Sequence, residues 1–353
     1  MINTLVIGNG FDLYHRMKTK YTDFLQFLKE LSNGNYISDS EVNAAISDKK
    51  IDYNNSSLVS YYLKLFDINS SKGNWIDMER ELKELIETII YFCKDETFDK
   101  KSISSKKAYT KYSYIVDRIS TNDEMIVRNL ISIFKRESEY EFCLREEFID
   151  VWGNINQEKI LKCLESELFQ LEQLLCIYLQ KIVPRDANSL TQKDLIRGLH
   201  AENAISFNYT DTLSKLNYLD SQKIIYVHGR LADSNVVLGY NDSSNEDQYD
   251  DIPFMKYYRR LTHETQNYKD GIIYRDDGYG GRVGNHFIFF GHSLDISDED
   301  ILKRLFEAGT ATVYYLNKDD RAAKIRNMIM ILGKEKALKQ LENGNIELKA
   351  IPR

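Results

Sequence analysis

The chain has four cysteines in 353 residues, Cys93, Cys143, Cys163 and Cys176, and they form no C-x-x-C pair. That spacing excludes a C-x-x-C zinc site and argues against a disulfide frame, predicting reduced thiols. No apolar run approaches the roughly 20 residues that span a bilayer. The first residues lack the basic, apolar and small-residue order of a secretory signal, which predicts a cytoplasmic protein. No 20-to-50-residue repeat or low-complexity tract is present, arguing against a solenoid. Basic residues are not in excess either: 47 Lys and Arg against 54 Asp and Glu give a net charge of −7. A broad nucleic-acid surface, which needs clustered cations, is therefore not expected.

What is present is the composition of a globular chain, with 42% hydrophobic and 29% charged residues and length enough for one large domain or two ordinary ones. Leu5, Val6 and Ile7 form a buried-strand run that enters the turn Gly8-Asn9-Gly10. Phe24, Leu25, Phe27, Leu28 and Leu31 follow at helical spacing, from a helix start near 19–21. Helical patterns recur over 74–94, 123–137 and 157–183, the last expected to end at Pro184. The lysine-bearing stretch 95–111 reads as an exposed connection. Thr191 and Asp194 have capping-box spacing.

Past that point the runs shorten and become β-rich: "NAISFNY", "KIIYVHG", "NVVLGY", "NHFIFFGHS", "ATVYYL" and "NIELKAI", with helices after the fourth and fifth. Strands alternating with helices predict an α/β fold, a Rossmann-like, mostly parallel sheet with helices on its faces. The expected division is a nucleotide-binding domain over 1–35 and 186–353, with a helical insertion over 36–185.

In open parallel sheets ligands bind beyond the C-terminal strand ends, and unusual polar groups collect there in this sequence. They are Gly8-Asn9-Gly10 with Phe11 and Asp12, then Asn208-Tyr209-Thr210-Asp211, His228-Gly229, Gly239-Tyr240-Asn241, and Gly291-His292-Ser293. Closely spaced glycines let backbone N–H groups approach a phosphate, though an ordinary tight turn needs the same residues. G-x-G-x-x-G fails because Leu13 replaces the third glycine, and no P-loop Lys-Ser/Thr follows. Asp12 either caps the next turn or contacts a ribose or base. His228, at the end of an apolar run and before a glycine, has the side chain best suited to moving protons near neutral pH. "GHSLD" is not a hydrolase elbow, since Asp295 stands where the second glycine belongs and no histidine follows Ser293. Ser297 with Asp300 has capping-box spacing.

As a set, "LVIGNGFDL", "NWIDME", "SFNYTDTL", "YVHGRL", "VLGYN" and "FFGHSLDISDEDI" resemble the AbiH family of bacterial phage abortive-infection proteins, from the first strand to about residue 305. That family is in turn similar to sirtuin-like domains. The resemblance implies an NAD site. Gly8, Asn9, Gly10, Phe11 and Asp12 match the glycine turn; Asn208 matches the asparagine positioning ribose or water; Tyr209, Thr210 and Asp211 flank it. His228 matches the catalytic histidine, followed by Gly229; Gly239 belongs to the same set, and Gly291, His292 and Ser293 match the adenosine-side turn. "NYTD" is one residue longer than the usual N-x-D, and Asn9 replaces a small residue. The paired C-x-x-C zinc ligands of sirtuin deacylases are absent, which shifts the implied activity from deacylation to NAD hydrolysis, with NAD as substrate, no cofactor and no metal.

The implied role is an antiphage effector that cleaves NAD to nicotinamide and ADP-ribose. The alternatives are a non-catalytic nucleotide-binding sensor or partner-binding module, and a nuclease, for which only the acidic stretch 241–251 offers residues. A phage-derived trigger and a homo-oligomer are expected, a membrane is not. The glycine-rich stretch 276–285 reads as a lid or a plain loop. Trp75 and Glu79, one helical turn apart, match a family motif and are expected to pack the insertion against the nucleotide domain, the alternative being that Glu79 reaches the site.

Overall fold

The structure, a computed structural model, describes residues 1–68, 75–94, 134–136, 142–144, 146–152, 155–186, 190–241, 249–265 and 284–352. The chain forms two compact units, one made of Met1–Lys20, Cys176–Val237 and Lys256–Arg353, the other of Tyr21–Leu175 and Leu238–Met255.

The first unit is built on a six-stranded parallel sheet. In chain order the strands of the molecule are β1 (Ile2–Ile7), β2 (Phe134–Arg136), β3 (Phe142–Leu144), β4 (Asn203–Ser206), β5 (Ile224–Tyr226), β6 (Asn285–Phe290), β7 (Gly309–Tyr315) and β8 (Ile346–Ala350). The sheet order is β5-β4-β1-β6-β7-β8, with β1 central, in parallel register with both β4 and β6. The chain therefore works outward on one side of β1 and then on the other. This makes the β1/β6 boundary a topological switch point, where open α/β sheets place their ligands.

Both sheet faces are covered, which is why its strands read as continuous apolar runs. Alternation decides which side chain goes where. Val6, Ile205, Phe287 and Phe289 pack with Leu302, Leu305 and Phe306 of the helix Glu299–Ala308 and Met328 and Ile331 of the helix Lys318–Leu332. Leu5, Ile7, Ile288 and Phe290 face the other way, onto Phe11, Leu213 and Ile196. Phe289 stacks on Phe306 with centroids 4.9 Å apart. Asn317 starts the helix Lys318–Leu332 by accepting from the N–H groups of Asp319 and Asp320, each at 2.9 Å.

The second unit is helical: Tyr21–Ser32, Ser40–Asp48, Ser57–Ile68, Trp75–Lys94 and most of Gln157–Ile177, with the antiparallel pair β2–β3. Its buried positions are those of the apolar stripes, among them Phe24, Leu28, Leu82, Ile86 and Leu168. Glu167, almost completely buried, is retained because it accepts from the Leu58 N–H at 2.8 Å and the Ser56 hydroxyl at 3.3 Å.

Several local expectations are corrected. A short helix, Asn9–Tyr14, precedes the one that starts at Tyr21. Pro184 does not end its helix: a π-helical turn, Tyr178–Ile182, leads into a last helical segment, Val183–Asp186. Pro184 sits inside this continuous helical run, and the π-helical turn just before it shifts the hydrogen-bond ladder where a proline has no N–H to donate. Thr191 caps nothing; the helix Asp194–Arg197 starts from Lys193 with no side-chain cap. "NVVLGY" forms no strand beyond an isolated bridge between Tyr240 and Met255. The helix expected over 123–137 gives way to β2 at Phe134, and 123–133 lie outside the described residues, as do 95–111 and 276–283. Among the described residues no helix is long and apolar enough to cross a membrane. Cys93 and Cys176 are buried and Cys163 is half-buried.

Candidate functional site

The ends of β1, β4, β5 and β6 bring Asp12, Asn208, Thr210, His228 and His292 to one edge of the sheet, all of them buried. Gly239 belongs to the second unit, beside Tyr240, whose N–H donates to Phe254 O at 3.1 Å.

The opening turn and the late turn dock backbone against backbone. Gly10 N–H donates to Gly291 O at 2.8 Å, and a Cβ on Gly10 would lie 2.7 Å from Gly291 Cα. Gly291 has φ +69°, and its Cβ would meet Phe11 N at 2.2 Å. A Cβ on Gly8 would stand 2.9 Å from His292 Cα. These glycines are thus required by the close approach of two turns at the switch point. The Gly10 and Phe11 N–H groups are spent on Gly291 O and Gly8 O. Asn9 ties down the loop end, its amide donating to Thr19 O at 3.0 Å and accepting from the Thr19 hydroxyl at 2.6 Å. Phe11 fills the core against Tyr218 and Phe290.

Asp12 is 1% exposed and accepts from the Thr210 hydroxyl at 2.6 Å, while Thr212 donates to Thr210 at 3.0 Å. Burial raises its pKa to about 6 against the pull of Thr210, Thr212, the Asn208 amide and Lys215. Folded protein therefore holds the Asp12 proton to higher pH than unfolded chain. Its contribution to stability is full at low pH, falls as pH rises from about 4 to about 6, and is flat above. The shift corresponds to about 3 kcal/mol. Asp12→Asn, which cannot ionise, is expected to gain that stability over the wild type across this window. Urea unfolding of both proteins at pH 4.5 and pH 7.5 checks it; a constant difference between the two would refute the burial argument.

The second group centres on a carboxylate that spacing alone did not single out. Asp298 lies 2.9 Å from His228 Nε2 through Oδ1, accepts from Lys256 Nζ at 3.1 Å, and lies 3.7 Å from His292 Nε2 through Oδ2. Lys256 Nζ also donates to the Ser297 hydroxyl at 3.2 Å. Burial would raise the Asp298 carboxyl, but Lys256, His228 and His292 outweigh it and hold it well below the usual carboxylate range. An ionised Asp298 only accepts, so His228 carries its proton on Nε2 and presents a lone pair at Nδ1. Burial also lowers the His228 pKa, and lowers that of His292 to about 4, so both rings are neutral at pH 7. His292 Nδ1 accepts from Leu294 N–H at 2.9 Å. Phe207 wedges between the two rings, edge-on at centroid distances of 5.5 and 4.3 Å.

Ser297 and Asp300 do not form the expected capping box. Lys256 takes Ser297, Arg260 pairs with Asp300, and Asp295 supplies the local cap by accepting from Ser297 N–H at 3.0 Å. Lys256 and Arg260 went unread although "KYYRR" signals them: three cations on the one short helix Lys256–Thr262, all buried. Ser293 is exposed, with its carbonyl accepting from Asn327 at 3.1 Å. Tyr209 donates to Val237 O at 3.0 Å, and Asp211 turns toward Arg230, 3.7 Å from its Nε. Gly229, φ +79°, makes the turn after His228.

In the second unit Glu79 adds its charge to the surroundings of the buried Tyr62 hydroxyl; the Trp75 side chain lies outside the described residues. Of the acidic stretch, Asp250 pairs with Lys94 and Asp251 accepts from Tyr240, while 242–248 also lie outside. Among the described residues no group of three or more His, Cys, Asp or Glu side chains is placed to hold a metal ion.

Neither a curated protein nor a solved structure matches the chain. One family model does, described as bacteriophage abortive infection AbiH, over residues 4–315. The match spans most of the sequence, from β1 through β7, and so takes in every strand end that carries the buried polar groups. The chain belongs to the AbiH family of bacteriophage abortive-infection proteins.

Proposed function

We propose that this AbiH protein acts in abortive infection by hydrolysing the N-glycosidic bond of NAD, releasing nicotinamide and ADP-ribose. One observation carries the reading. Of the buried polar atoms at three adjacent strand ends, His228 Nδ1 after β5 completes no hydrogen bond within the protein, and Asp12 Oδ1 after β1 and Asn208 Nδ2 after β4 complete none beyond the pull of the Asn208 amide on the Asp12 carboxyl. Leaving a buried polar atom unpaired costs about 1–3 kcal/mol, so the unpaired His228 Nδ1 and the under-satisfied pair beside it read as groups kept for a ligand.

The chemistry suits them. Nicotinamide leaves as a neutral molecule from a cationic glycosidic nitrogen, taking the C–N bond pair with it, and needs no acid. The ribose carbon develops oxocarbenium character and is attacked by water. His228 Nδ1 takes the proton from that water and later yields it to solvent, while the Asn208 amide donates to a ribose oxygen or holds the water. Asp298 keeps the His228 proton on the far nitrogen, a positioning role. The protein needs no cofactor for this, since NAD is the substrate.

A nucleotide sensor without turnover is the second reading, favoured by the backbone docking of the two glycine turns, which spends N–H groups a diphosphate would otherwise use. NAD and ADP-ribose content in phage-challenged cells separates the two. NAD hydrolysis predicts loss of NAD and gain of ADP-ribose with the wild type, and neither with soluble, folded His228→Ala. Phage resistance with unchanged NAD would sink hydrolysis, and resistance retained by His228→Ala would favour the sensor.

A further inference from the structure

A groove of about 690 Å³ opens on the first unit, and neither Asp12, Asn208 nor His228 lines it. Its polar walls carry the carboxylates of Asp211 and Asp220 together with Ser214, Lys215, Lys223 and Arg230. Arg230 lies over the Tyr226 ring, with Cζ 5.4 Å from the centroid, and its Nε stands 3.7 Å from Asp211 Oδ1 and 3.5 Å from Asp233 Oδ2, too far to hydrogen-bond either. Two atoms on these walls, Arg230 Nε and Asp211 Oδ1, complete no hydrogen bond of good geometry, and behind them the hydroxyl of Tyr226, 2% exposed, feels the pull of Ser214 and Asp211. Burial, reinforced by the Asp211 charge, pushes the Tyr226 phenol up to about 12, so it remains an O–H donor.

The donor set restricts what fits. A bare anion would face the Asp211 carboxylate, and a bare cation would face Lys215, Lys223 and Arg230. A ligand with neutral hydroxyl donors at one end and an anionic group at the other satisfies both. We propose that this groove is a second ligand site, distinct from the strand-end site, for a phosphorylated sugar with vicinal hydroxyls, of the ribose 5-phosphate type. Asp211 accepts from the diol, Arg230 Nε donates to a sugar oxygen, and Lys215 and Lys223 take the phosphate. The inference goes beyond NAD hydrolysis and stands without it.

Isothermal titration of the full chain with ribose 5-phosphate, 2-deoxyribose 5-phosphate, AMP and inorganic phosphate tests it. Saturable binding of ribose 5-phosphate is expected, about tenfold weaker for the deoxy sugar, which has lost its diol, and weaker again for phosphate alone. Asp211→Ala is expected to weaken ribose 5-phosphate by tenfold or more. Lys215→Ala, a change at an exposed position that does not threaten the fold, should weaken it severalfold, with Asp12→Asn unchanged. AMP binding tenfold tighter than ribose 5-phosphate would identify the ligand as a nucleotide, equal binding as a sugar phosphate; both uphold the site. No saturable binding, or binding that Asp211→Ala and Lys215→Ala leave intact, would overturn it. So would binding lost only in His228→Ala, which would put the ligand at the strand ends.

Discussion

Asp298→Asn is expected to cost about 3–5 kcal/mol of unfolding free energy, because it strips a counter-charge from a buried ammonium. Lys256 is 3% exposed, and beside Asp298 it also donates to the neutral hydroxyl of Ser297. The loss would be read as a lower urea midpoint with unchanged slope. The interpretation has its own check. In Asp298→Asn/Lys256→Met the charge that needed compensation is gone, and the asparagine carbonyl still accepts from His228 Nε2. Most of the lost stability should return, short of the part owed to the His292 N–H. If Asp298→Asn cost less than about 1 kcal/mol, Lys256 would be reaching water and the cluster would be no more than a surface ion pair.

The same substitution bears on chemistry. An asparagine amide can donate to His228 Nε2 as readily as accept from it, which permits the proton to move to Nδ1 and removes the free lone pair. Under the proposed hydrolysis, Asp298→Asn protein should lose about 10²–10⁴-fold in turnover, the usual worth of a general base. A stability loss without a turnover loss would leave Asp298 a purely structural residue.

How much of this was legible beforehand differs by element, for physical reasons. β1, β6 and β7 announce themselves because a parallel strand covered on both faces carries an apolar run, as in "HFIFF", whereas the edge strand β8, "IELKA", buries only Ile346. Asn208 and His228 are legible as polar residues directly after such runs. Asp298 is not: it sits 70 residues from His228 in a segment, "SDED", whose spacing fits a helix start. Local propensity and tertiary ion pairing competed for the same side chains there, and pairing won when Lys256 took Ser297 and Arg260 took Asp300. "NVVLGY" shows the converse failure. Its β-branched composition is right for a strand, but it gains no neighbour in the sheet, and Val236, Val237 and Leu238 are buried without a ladder.

Gly291→Ala is expected to be strongly damaging, since two separate penalties meet at that position, as they also do at Gly229. The backbone sits at φ +69°, where an L-residue pays about 1–2 kcal/mol. The new methyl would also lie 2.2 Å from Phe11 N and 2.4 Å from Gly10 C, both backbone atoms unable to swing aside, adding about 1–3 kcal/mol of overpacking. Two other glycines separate the contributions. Gly344, φ +71° with nothing within 4 Å, carries the conformational penalty alone; Gly284, also open and without positive φ, carries neither. The order of destabilisation should therefore be Gly291→Ala well beyond Gly344→Ala, with Gly284→Ala near the wild type. Moreover, a strained Gly291 would push apart the turns that end β1 and β6, the first leading directly to Asp12 and the second to His292. The Asp12 proton should then become easier to lose as water reaches the carboxylate, which chemical-shift titration of that carboxyl would register as a fall from about 6 toward the ordinary range. A Gly291→Ala protein as stable as Gly344→Ala, with Asp12 titrating as before, would mean that the two turns are not held together by that contact.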